Sequence, residues 1–246
     1  MSLKKLFIFV ALMMAATTLY AQTAEEIIQK HLEKRGNVEF GELKSMMMKG
    51  EITMPQSPMG SIQITYYMQN GQMRSEQEIQ GKKIVIIYDG SKMYVKNELA
   101  GDIAFKPAPA EATPDQLSQY NEFIMGPFSE IDESTEFVYI GKVEEDGEKM
   151  HKIQIKDPEM ASAENPTVAY IYIDPVSYLV DHYRIEQKVE GKEHTQVIKF
   201  EDRAKVKGVI YPQYIEILAD GQTQSEIEIT EVTINEAVDE MLFIPQ

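Results

Sequence analysis

Residues 61–90 read SIQITYYMQNGQMRSEQEIQGKKIVIIYDG. Ile62, Ile64, Tyr66 and Met68 fall on alternate positions, the period of a strand with one buried face. Asn70-Gly71 follows at once, then Gln80-Gly81 and Asp89-Gly90 at short intervals. Such pairs supply the positive φ that a tight hairpin needs. Alternation broken by these pairs predicts an antiparallel meander and not βαβ units. Lys82 to Tyr88 is apolar on both faces, which predicts a strand covered on both sides.

The pattern continues outward. Met46, Met48, Ile52 and Met54 alternate before it, and Asp146-Gly147, Glu190-Gly191 and Asp220-Gly221 mark later turns. About eleven strands are expected: 45–54, 60–69, 72–79, 82–88, 92–97, 136–144, 149–156, 167–173, 178–189, 193–200 and a hairpin or pair of short strands within 211–233. The fold class is therefore mainly β with a minor helical part. One helix opens the chain after residue 22. Thr23-Ala24-Glu25-Glu26 is a capping box, Ala24, Ile27, Ile28, His31 and Leu32 form one stripe, and Gly36 is the expected stop. A second helix is expected where Thr113 caps and Pro114 starts a turn, with Leu117, Tyr120, Ile124 and Met125 on one face and Phe123 beside it. No linker divides the chain, so residues 22–246 are read as one domain.

Residues 1–21 have the three parts of a secretory signal peptide: Lys4 and Lys5, the apolar run Leu6 to Ala16, then small residues to Ala21. The run is too short for a comfortable membrane span, so cleavage near Ala21 and export to the periplasm are expected. A formal charge of −16 excludes nucleic acid as a partner, because the field repels phosphate. No later run is long enough for stable membrane insertion. The chain has no Cys, which removes disulfides, thiolate metal sites and Cys nucleophiles. A composition of 43% hydrophobic and 26% charged residues is that of a folded protein.

Catalytic signatures for serine hydrolases, zinc proteases and nucleotide-binding loops are missing from the sequence. His31, His151, His182 and His194 share no metal-ligand spacing. No catalytic residue, metal or cofactor is assigned, and an enzyme is not expected. A hydrolase would need a His and a carboxylate within hydrogen-bond reach, with His182 and His194 the first to check. Acidic pairs such as Glu144-Glu145-Asp146 and Glu201-Asp202 sit at turns and strand ends, where acids face water. Eight Met between residues 46 and 93 either fill a core or line a surface for varied apolar partners.

A set of short motifs recurs in order along the chain. Ala24-Glu25-Glu26-Ile27-Ile28 precedes Lys49-Gly50-Glu51-Ile52, then Gly81-Lys82-Lys83-Ile84 and Tyr88-Asp89-Gly90-Ser91-Lys92. Tyr172-Ile173-Asp174-Pro175, Gly208-Val209-Ile210-Tyr211-Pro212 and Phe243-Ile244-Pro245 follow. This order resembles the outer membrane lipoprotein-sorting proteins, the LolA-like family of Gram-negative bacteria. The resemblance implies an incomplete antiparallel β-barrel with helices as a lid over an apolar cavity. It implies a periplasmic carrier that shields the acyl chains of lipoproteins, or phospholipid, for transfer toward the outer membrane. Its partners would be an inner-membrane lipoprotein-releasing transporter and an outer-membrane receptor. The alternative on the same half-barrel is a periplasmic sensor or a protein- or peptide-binding module without lipid cargo.

On this reading Met46, Met48, Ile52, Ile62, Ile64, Tyr66, Ile84 and Ile86 line the cavity. Leu117, Tyr120, Phe123, Ile124 and Met125 cover it. The family's lid latch is an Arg in a basic, Pro-containing stretch, where this chain reads Gln69-Asn70-Gly71. The nearest Arg, Arg74, alternates with Met73 onto the opposite face, so the latch role is not carried to it.

Overall fold

Thr23 starts the first helix, α1 (Ala24–Arg35), as the capping pattern requires: its Oγ1 accepts the Glu26 N–H at 3.2 Å. Gly36 ends α1 at φ +123°, with its N–H donating to the Leu32 carbonyl at 3.2 Å. Ala24, Ile27, Ile28 and His31 are buried, which is the stripe read from the spacing. The computed structural model describes residues 22–36, 43–58, 60–108, 135–156 and 166–246. Residues 1–21, read as a signal peptide, and the residues expected to form a lid, Leu117, Tyr120, Phe123, Ile124 and Met125, lie outside them.

Thirteen strands form one antiparallel sheet. They are β1 (Ser45–Thr53), β2 (Ser61–Gln69), β3 (Gln72–Ile79), β4 (Lys82–Tyr88), β5 (Met93–Asn97), β6 (Lys106–Pro107), β7 (Glu136–Glu145), β8 (Glu148–Lys156), β9 (Thr167–Ile173), β10 (Val180–Val189), β11 (Lys192–Val206), β12 (Val209–Ala219) and β13 (Gln222–Ile234). Their spatial order is β6-β5-β4-β3-β2-β1-β13-β12-β11-β10-β9-β8-β7. Two meanders are thus joined where β1 pairs with β13, and β6 and β7 are left as edges. Among the described residues the sheet does not close, so the architecture is the expected incomplete barrel, with a helix lying over its inner face.

The strand count exceeds the expected eleven by two, one from 211–233 and one from β6, and β11 is longer than expected. The span 211–233 is two long strands, β12 and β13, divided at the Asp220-Gly221 turn. β11 runs on to Val206, because its polar end from Glu201 is held by backbone pairing with β12 and carries no apolar period. A hairpin at Lys207-Gly208, both with positive φ, then starts β12. β6 is two residues long and includes Pro107, which an edge strand tolerates.

Direct pairing fixes which side chains share a face. Met46 faces Met68, Met48 faces Tyr66, and Ile52 faces Ile62 across β1 and β2. Across β2 and β3, Ile64 faces Gln77 and Tyr66 faces Ser75. On the other side of β1 the register shifts at Lys49/Gly50, so that Gly50 faces Ile229 and Ile52 faces Ile227. A Cβ on Gly50 would sit 2.5 Å from the Glu228 carbonyl oxygen, so only glycine permits this approach.

Two hydrophobic clusters result on the inner face. One joins β1–β3 to β12 and β13 through Met46, Met48, Tyr66, Met68, Met73, Ile215, Ile227 and Ile229. The other is covered by α1: Ala24, Ile27 and Ile28 rest on Ile153, Ile155, Ala169, Ile171, Ile173 and Val180. β4 is covered on both sides, as its composition predicts. Ile86 belongs to the inner side, while Val85 and Ile87 are buried on the outer side.

Candidate functional site: an apolar cavity beside the docked helix

The first cluster borders a partly open cavity of about 90 Å³. Met48, Ile52, Ile64 and Tyr66 line it from β1 and β2, and Ile215, Ile227 and Ile229 from β12 and β13. Ser75 and Gln77 contribute the polar side. Four of the eight residues expected in the lining are therefore there. Met46 and Ile86 pack in the surrounding cluster, Ile62 is buried across from Ile52, and Ile84 faces Gln77. These four share the inner face without reaching the cavity. The methionines fill the core more than they line the cavity: Met46, Met68, Met73 and Met93 are buried, and Met48 alone borders the space.

Sequence reasoning passed over Ile215, Ile227 and Ile229. Each follows the strand period of its own segment, so the alternation was available. What could not be read was that β13 lies beside β1. At about 90 Å³ the cavity is well below the volume of one acyl chain.

α1 is pinned by polar contacts at one end of the sheet. His31 Nδ1 lies 2.9 Å from the Tyr178 carbonyl oxygen, and Arg35 Nε donates to the Ile210 carbonyl at 3.4 Å. Burial, with Arg35 nearby, pushes the His31 imidazole down from 6.5 to about 4. Burial with Arg203 nearby holds Arg35 down at about 10. Tyr178 adopts φ +58° in the β9–β10 turn. Its ring stacks on fully buried His151 at 5.7 Å between centroids, and Lys30 Nζ of α1 lies 5.0 Å from its centroid. His151 Nδ1 is 2.8 Å from the Tyr139 hydroxyl, and burial lowers its pKa, with Lys142 and Lys30 adding to the effect.

Arg74 is on the outer face, opposite Tyr67 and Ile87. It bonds Glu76 at 2.6 Å and donates to the Leu242 carbonyl at 3.0 Å. It therefore holds the C-terminal turn Glu240–Phe243 on the outside of the sheet, away from the cavity. His182 and His194 each have a carboxylate within reach, Asp181 at 2.8 Å and Asp220 at 2.9 Å. Neither lines the apolar cavity. Among the described residues, no three His, Cys, Asp or Glu are placed to hold a metal, and no helix is long and apolar enough to cross a membrane.

Solved structures share this architecture. A DUF1329 family protein from Desulfovibrio piger superposes with a TM-score of 0.58 at 9% identity, covering 89% of this chain and 96% of that one. An outer membrane lipoprotein-sorting protein domain from Vibrio parahaemolyticus gives 0.54 at 10% identity, over 89% and 94%. A LolA superfamily protein from Nitrosomonas europaea gives 0.51 at 13% identity, over 90% and 98%. No protein-family model matches the sequence, and no curated protein does. At these identities the likeness is one of fold, and the fold is LolA-like over about nine-tenths of the chain.

Proposed function

We propose that this protein is a non-enzymatic periplasmic carrier that takes acyl chains of lipoproteins or other lipids into the half-barrel for transfer toward the outer membrane. The observation that carries this reading is the cavity between β1–β2 and β12–β13, walled on most sides by Ile side chains and Met48. Burial stabilises an acyl chain by about 0.8 kcal/mol per methylene, and the same interaction is surrendered on release without covalent chemistry. Met48 is adaptable in shape, and the surrounding cluster adds Met46, Met68 and Met73. Uptake requires this cluster to part, because the cavity is smaller than the cargo. The element that would move is α1, whose apolar stripe rests on the second cluster and whose C-terminal end is held by His31 and Arg35, and residues 113–125 are the expected lid. The residues expected to border the cargo are the seven apolar lining residues, with Met46, Ile62, Ile84 and Ile86 joining as it widens. The donor and acceptor of the cargo would be an inner-membrane transporter and an outer-membrane receptor.

Protein or peptide binding on the same scaffold is the second reading, and the small size of the cavity favours it. Native mass spectrometry of protein recovered from the periplasm of a Gram-negative host, followed by solvent extraction, separates the two. Co-purified lipoprotein or phospholipid supports the carrier. A protein that is empty and takes up no fluorescent fatty acid is not a carrier.

A further inference from the structure

The outer face of the sheet, opposite the apolar cavity, carries a larger recess of about 340 Å³. Its volume lies in the range of small-ligand sites, whereas the apolar cavity lies below it. The recess exists because the β7–β8 hairpin leans over the sheet. Glu145, at the end of β7, forms an ion pair with Arg184 of β10 although β8 and β9 lie between them. At about 4.8 Å per strand that gap is about 14 Å in a flat sheet, so the hairpin tip must bend across it. Glu145 is therefore not the solvated acid its place at a turn suggests.

Beneath the tip, Tyr172 and His182 face each other across β9 and β10 and stack at 4.1 Å with their planes 17° apart. His182 is 95% buried and is part of the recess wall. Its Nδ1 is 2.8 Å from Asp181 Oδ2, but its Nε2 is buried without a partner. Arg184 Nε, on the next outward-facing residue of β10, is also buried without a partner, and so is the Tyr172 hydroxyl. Buried polar atoms without partners are costly and are few in native proteins. The walls carry five carboxylates, among them Asp146, Glu148 and Glu201, against the cations Arg184 and Lys199.

We propose that this recess binds a basic peptide segment. Asp181 can only accept from Nδ1, so Nε2 is the ring atom left to receive an N–H donor from the occupant. The excess of carboxylates selects a cationic donor. Arg184 Nε is a donor and needs an acceptor in return. A free amine brings donors alone and an anion brings acceptors alone. A lysine-bearing peptide brings both, an ammonium for His182 and the acids and a backbone carbonyl for Arg184. This site is on the opposite face from the acyl cavity and stands or falls without it.

The test uses an acetylated, amidated peptide of two lysines and three alanines, its glutamate counterpart, and spermidine. Each is titrated into the whole protein at low salt by calorimetry, with the His182 ring nitrogens followed by NMR. The lysine peptide is expected to bind one to one and to shift His182 Nε2. The double variant Glu148→Gln/Glu201→Gln, at two exposed positions, is expected to weaken it at least tenfold while leaving fatty-acid uptake unchanged. Absence of binding, an unmoved His182, or an unaffected double variant overturns the proposal. Equal binding of the glutamate peptide overturns the charge argument, and equal binding of spermidine overturns the peptide assignment.

Discussion

His31 of α1 bonds through its Nδ1 to the carbonyl oxygen of Tyr178, 147 residues further along the chain, at 2.9 Å. One hydrogen bond thus ties the covering helix to the β9–β10 turn, and it does so through a buried titratable ring.

That ring predicts how docking depends on pH. The folded-state value, about 4, lies below the ordinary 6.5. A depressed value means that the docked, neutral form is fully favoured above about pH 6.5 and loses that advantage as the pH falls toward 4. The full difference is about 3 kcal/mol, of which a partly undocked helix would recover some. Urea denaturation at several pH values between 7.5 and 4 should show the loss in the wild type. His31→Leu should flatten the part of the curve that the ring causes. Parallel curves for the two proteins would rule this out.

Gly36 sets a second constraint on the helix. Its φ is +123°, and a Cβ there would sit 2.4 Å from the Gly208 carbonyl oxygen. Gly36→Ala should therefore destabilise by about 2 kcal/mol or more, from backbone strain and the clash together. Gly208→Ala meets nothing within 4 Å and should cost less. Thermal melts of the two variants compare them directly, and equal costs would mean that α1 does not rest on that hairpin.

The cavity can be enlarged without touching the lid. Ile215 is wholly buried and lines it from β12. Ile215→Ala should cost about 2–5 kcal/mol. On the carrier reading the larger space should also raise fluorescent fatty-acid uptake at a pH where the variant stays folded. A stable variant with uptake unchanged or lower counts against acyl chains entering there.

The C-terminal turn is predicted to be structural. Phe243 is wholly buried, and Arg74 donates to the neighbouring Leu242 carbonyl. Phe243→Ala should cost about 3–5 kcal/mol and leave the outer side of β3 less covered. Arg74→Met should loosen the same turn, while helix docking, followed by exchange of the α1 amides, stays as in the wild type. Loss of α1 protection in Arg74→Met would show that this Arg acts on the lid after all.

Much of the architecture was legible because its signals are local. A positive-φ pair ends a strand wherever it occurs, so Asn70-Gly71, Gln80-Gly81, Asp146-Gly147, Glu190-Gly191 and Asp220-Gly221 all became hairpins. The Thr23 cap and the Gly36 stop depend on residues a turn away. Where the local signal is absent the reading failed: the polar end of β11 has no apolar period, and two-residue β6 is too short to show one.

The amino-acid sequence by itself determined α1, most of the strands and the inward face of most of them, because side-chain alternation and turn geometry act over a few residues. Tertiary structure decided which strands meet. The pairing of β1 with β13 brings Ile227 opposite Ile52 and Ile229 opposite Gly50, and so builds the cavity wall. The bend of the β7–β8 hairpin puts Glu145 on Arg184 and makes the polar recess. Neither contact leaves a trace in local spacing. Each depends on how far a thirteen-stranded sheet twists and coils, and that is settled only when all of its strands pack together.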